Sequence, residues 1–106
     1  MDVYNKLVRD KIIEIIEASG DKPTYENLKD DRYLQELNKK LIEEANEFIA
    51  ENDPEELADL MEVVYAIAKL KNINLNKVEE IRKQKALKRG AFDKKIFLKE
   101  VKRKGE

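Results

Sequence analysis

The tripeptide Asn52-Asp53-Pro54 constrains this chain more than any other stretch. On both sides of it, apolar residues recur at three- and four-residue steps, the period of a helix with one buried face. Before it, Leu34, Leu37, Leu41, Ala45 and Phe48 mark a helix expected from about Asp31 to Glu51. After it, Asp53 is suited to cap a new helix and Pro54 to its first turn. Glu55 and Glu56 then place negative charge at that helix's positive end. The second helix is expected from Pro54 to about Lys71. It is the most apolar in the chain, with only Asp59 and Glu62 charged between Leu57 and Ala68. It is therefore expected to be central and buried on most sides. So short a break sets the two helices antiparallel and side by side.

The flanking segments are shorter. Residues 1–9 are mixed and have no deciding period. Ile12, Ile13, Ile15 and Ile16 predict a helix from Asp10 to Ser19, with Gly20 at its C′ position and Pro23 beyond it. Residues 21–32 read as a polar connection. A fourth helix is expected to open on Asn76, where Glu79 three residues later suggests a capping box, and to end near Arg89 at Gly90. Ala91 to Glu106 carries Phe92, Ile96, Phe97, Leu98 and Val101 among lysines, so it is expected to dock as an extended segment or a short helix. The fold class that follows is all-α. Residues 1–106 are expected to form a single four-helix-bundle-like domain with a docked C-terminal tail.

Composition narrows the chemistry. Charged residues make up 42% of the chain, yet the net charge is −1. That balance argues against a nucleic-acid coat and a polybasic membrane anchor. Cysteine and histidine are both absent, which removes disulfides, thiolate or imidazole metal ligands, thiol nucleophiles and Ser-His triads. Acid–base work must fall to Asp, Glu, Lys, Tyr or a metal-bound water. No apolar leader or membrane span is present in the sequence, so a cytoplasmic location is expected.

The acids then stand out. Residues three apart share a helical face, so Glu44 pairs with Glu47, and Glu56 with Asp59. Glu56 lies in line with Leu60, Val63 and Ile67, and Asp59 with Val63, Ala66 and Leu70. These acids begin a stripe that later turns continue as apolar. Unpartnered buried carboxylates are costly and drift toward protonation. Four acids converging from two helices make an oxygen-only site suited to Mg²⁺ or Mn²⁺. The plainer alternative is a set of solvated acids paired with lysines. Glu43 could be a ligand or could orient a water. Glu62 could be a fifth ligand or an outer acceptor. Lys39 and Lys40, one turn earlier, are either a solvated face or phosphate contacts. Tyr4 to Lys11 crowds Lys6, Arg9 and Lys11 beside a helix start, which can hold phosphate or can simply be charged. Arg89 to Lys95 offers the same choice, with Phe92 able to stack on a base.

The order Glu43-Glu44-x-x-Glu47, short gap, Glu56-x-x-Asp59 resembles the all-α NTP pyrophosphatase superfamily. That group includes the MazG proteins, dimeric dUTPases and phosphoribosyl-ATP pyrophosphohydrolases. Tyr4 to Ile12, Glu55 to Asp59 and Arg89-Gly90-Ala91-Phe92 are similar to its small phosphoribosyl-ATP pyrophosphohydrolase-like, house-cleaning branch. The resemblance covers nearly the whole chain. It implies Mg²⁺-dependent hydrolysis of a nucleoside triphosphate to a monophosphate and pyrophosphate, with Mn²⁺ as a substitute metal. It further implies Glu44, Glu47, Glu56 and Asp59 as ligands and Glu43 as the catalytic acid before them. Lys6, Arg9, Lys11, Lys40, Arg89 and Lys95 would contact the nucleotide. A homodimer or homotetramer is implied, with neither nucleic acid nor membrane as partner. One departure is the gap of eight residues between Glu47 and Glu56, where the superfamily commonly has a longer insert; it leaves less wall for a base pocket. The competing expectations are phosphoribosyl-ATP hydrolysis in histidine biosynthesis and a non-catalytic helical interaction module.

Overall fold

The computed structural model describes residues 1–106 and contains four helices and no strand: α1 (Ile12–Ala18), α2 (Asp30–Glu51), α3 (Pro54–Leu70) and α4 (Leu75–Arg89). The chain divides into two compact units, Met1–Asn74 and Leu75–Glu106. No helix is long and apolar enough to cross a membrane.

In the first unit, α2 and α3 form an antiparallel hairpin around the Asn52-Asp53-Pro54 break. Asn52 adopts the left-handed conformation, φ 55°, and its N–H donates to the Phe48 carbonyl at 2.8 Å, ending α2. Asp53 is extended, and its Oδ1 accepts from the Glu55 N–H at 3.0 Å, so it caps α3 with Pro54 at the first position. The apolar face of α2 meets α3 as the spacing requires, and Leu37, Val63 and Ala68 are the buried apolar residues. α1 starts two residues later and ends one residue earlier than the predicted Asp10 to Ser19, and it buries none of its residues. The Gly20 N–H donates to the Glu17 carbonyl at 3.0 Å with φ 91°, a conformation glycine adopts at no steric cost.

Three expectations need correcting. α3 is not buried on most sides. Leu57, Met61 and Tyr65, spaced four apart, are 42%, 45% and 51% exposed, because a single neighbouring helix covers only one face. The fourth helix begins at Leu75, so Asn76 lies inside its first turn instead of before it. Asn74, an equally good capping residue type, precedes the start. The tail does not dock as an anchored segment: Phe92 and Phe97 are 97% and 85% exposed, and residues 91–106 contain turns but no helix. α4 itself ends where glycine allows, with the Gly90 N–H donating to the Ala86 carbonyl at 2.8 Å and φ 85°.

Candidate metal centre

Glu44 reaches the hairpin seam because it follows Leu37 by seven residues, two turns along the same face of α2. Its residue is 7% exposed, the one buried charged residue in the chain. Glu56 and Asp59 come from the first turns of α3, directly across the short break. One carboxylate oxygen from each of Glu44, Glu56 and Asp59 can be chosen so that all three lie within 4.8 Å of one another. Glu44 Oε2 and Glu56 Oε2 are buried and have no hydrogen-bond partner. Three hard carboxylate oxygens of this kind could hold a divalent cation, and the two orphaned buried oxygens are groups such an ion would satisfy.

The electrostatics point the same way. Burial pushes the Glu44 carboxyl above the ordinary glutamate range, and Glu47 and Asp59 add to the effect while Lys40 opposes it. The Glu56 carboxyl is also raised, first by desolvation of the group, then by the neighbouring Glu47, and by Asp59 and Glu44. Glu47 is exposed and stays outside the three-oxygen cluster, yet its charge acts on both neighbours. Glu62 is exposed.

Cations stand beside these acids. Lys40 Nζ lies 3.5 Å from Glu44 Oε1 and 4.0 Å from Glu43 Oε1, with its side chain only 21% exposed. The next-door Lys39 is largely solvated and pairs with Glu36 at 3.3 Å. One residue of helical rotation thus separates a lysine at the site from a lysine on the surface. From the irregular N-terminal segment, Arg9 Nη2 donates to Asp59 Oδ1 at 2.7 Å, and Lys6 Nζ lies 4.0 Å from Glu43 Oε1. Asn5, in a left-handed turn with φ 47°, helps line a pocket of about 230 Å³ with Lys6, Lys39, Lys40, Glu36 and Glu43.

The remaining sequence candidates lie elsewhere. Lys11 is exposed at the start of α1 and makes no ion pair. Arg89 closes α4, and Lys95 occupies a left-handed turn, φ 56°, in the second unit. A larger concavity, about 600 Å³, runs along α4 past Ile81, Gln84 and Lys85 and shares no residue with the acids. The acid cluster, with its orphaned oxygens, is the chemically specific site. Pocket-lining Glu36 was not singled out as a contact, because only the fold of the N-terminal segment over α2 brings it beside Asn5 and Lys6. No protein-family model, curated protein or solved structure matches the chain.

Proposed function

We propose that the protein is a divalent-metal-dependent nucleoside triphosphate pyrophosphohydrolase, cleaving NTP to NMP and pyrophosphate. The observation that carries this reading is the convergence of Glu44, Glu56 and Asp59 with two buried, unpartnered carboxylate oxygens. Glu44, Glu56 and Asp59 would hold Mg²⁺ or Mn²⁺, with Glu47 flanking them. The ion's chemistry is to neutralise phosphate oxygens and to make a bound water more acidic.

The chain's own groups supply the rest. Glu43 lies 4.0 Å from both Lys6 and Lys40 and would orient the attacking water or take its proton. Lys6, Lys40 and Arg9 would hold the phosphates, and Lys39 and Asn5 extend that lining. At about 230 Å³ the pocket is smaller than the roughly 300–1,000 Å³ of sites that enclose a whole small molecule. It suits a phosphate tail better than a base. With so little wall around the base, a broad house-cleaning specificity for noncanonical nucleotides follows, in a homodimeric or homotetrameric enzyme. Phosphoribosyl-ATP is the alternative substrate.

A second reading has its own observation. The Arg9–Asp59 and Lys40–Glu44 pairs are what a non-catalytic helical module would use to neutralise its acids without metal. Calorimetric titration of Mg²⁺ or Mn²⁺ into wild type and Glu56→Ala/Asp59→Ala separates the two. Binding heat lost in the double variant supports the metal centre, and identical traces remove it. Pyrophosphate release is then measured across standard nucleotides, damaged nucleotides and phosphoribosyl-ATP to assign the substrate.

A further inference from the structure

Lys40 occupies a position that no other cation near the acids shares. On one side it pairs with a member of the cluster, Nζ to Glu44 Oε1 at 3.5 Å. On the other it lines the pocket of about 230 Å³. Arg9 also pairs with a cluster acid, Asp59, but does not line that pocket. Lys6 lines the pocket, but its ion pair is with Glu43, outside the cluster. Lys39 lines the pocket too, yet its ammonium pairs with Glu36. Helix geometry makes the difference, because Glu44 follows Lys40 by four residues and so lies on the same face of α2. The Glu44 side chain is only 9% exposed, and its second oxygen, Oε2, has no partner. The lysine therefore serves one oxygen of a carboxylate that is more than nine-tenths buried. An ammonium is a compact charge on a flexible stem, so a shift away from Glu44 keeps it within the pocket it already lines.

We propose that Lys40 is the resident counter-cation of the metal-free acid cluster, and that a divalent ion on Glu44 hands it over to an anion in the adjoining pocket. This rests on the metal reading above and adds a coupling to it. An incoming metal ion must compete with Lys40 for the Glu44 carboxylate, so metal alone binds weakly. An anion in the pocket draws the ammonium away from Glu44 and removes that competitor. Linkage is reciprocal, so each ligand tightens the other by the same factor. An opposite charge within about 4–6 Å changes the proton affinity of a carboxylate by roughly one to three powers of ten. A metal ion competing for that oxygen meets the same field. The lower end, about tenfold, suits a pair that water still reaches. The site is thus loaded by metal and anion together, and free Mg²⁺ leaves the protein largely in its lysine-paired state.

Calorimetric titration of Mg²⁺ into the full chain tests this, with inorganic phosphate as the anion and protein-free blanks for metal–phosphate pairing. Saturating phosphate should tighten Mg²⁺ binding about tenfold in wild type. Without phosphate, Lys40→Met should bind Mg²⁺ about tenfold more tightly than wild type, and it should gain less from phosphate. Lys39→Met removes the same charge from the same pocket and should keep the wild-type Mg²⁺ affinity. Lys40→Gln repeats the measurement if Lys40→Met loses its helical circular dichroism. Equal Mg²⁺ affinity in wild type and Lys40→Met overturns the proposal, as does equal tightening in Lys40→Met and Lys39→Met. The metal centre still stands in both cases if Glu56→Ala/Asp59→Ala loses the binding heat. Absence of Mg²⁺ and Mn²⁺ heat in every one of these proteins removes the metal reading itself, and this proposal with it.

Discussion

Glu44 and Glu56 are held in conditions that oppose their own charge, and two consequences follow at the level of single residues. Both carboxyls hold a proton more tightly in the folded chain than in the unfolded one. The folded state therefore binds more protons across the window from the ordinary glutamate range up to the raised values. Stability from these groups is fully present below that window and declines as pH rises through it. Glu79, lowered chiefly by its hydrogen bond from Arg82, contributes with the opposite sign, so the readout is a difference. In the metal-free protein, urea midpoints of wild type should fall from mildly acidic to neutral pH, and Glu44→Gln/Glu56→Gln should flatten that fall. Mg²⁺ should act in the other direction. At a hundredfold excess over Kd, a ligand of the folded state alone adds roughly 2.7 kcal/mol. Melting temperature should rise with Mg²⁺ in wild type and stay fixed in Glu56→Ala/Asp59→Ala.

At the scale of elements, the hairpin depends on its break. Removing the Asp53 cap leaves the Glu55 N–H without its acceptor, and Asp53→Ala should cost about 1 kcal/mol in urea unfolding. Leu37→Ala should cost roughly 2–5 kcal/mol by leaving a void against α3, with helical content retained. The hairpin was the legible part of the sequence. Cap, proline and apolar period all point to one answer, and the partial shielding of Glu56 and Asp59 follows from their place at the head of the apolar stripe of α3. The bounds of α1 and α4 were less legible, because short helices with competing asparagine and lysine signals are settled by local contacts. The pairing of Lys40 with Glu44 was not legible for a related reason. Periodicity gives a direction in steps of 100°, which does not show whether a long side chain folds back onto the carboxylate four residues on.

The whole molecule is two units of opposite charge, which a sum over the chain conceals. Because the cations of the second unit are exposed on a segment with little core, limited trypsin treatment should cut within residues 75–106 before it cuts the α2–α3 hairpin. Mass spectrometry of early fragments checks the order. The tail was illegible for a physical reason: aromatic residues among lysines signal that something covers them, and sequence does not say whether it is the same chain. The N-terminal segment carries a consequence of its own. Arg9 grips Asp59 across fifty positions of chain, on an oxygen-bearing group that an incoming cation would claim. A cation held by the acids would compete with the guanidinium for Asp59, and an arginine so released would stay tethered beside the site. The first residues would then act as a clasp on the acids, and Arg9→Ala should tighten Mg²⁺ binding in calorimetric titration.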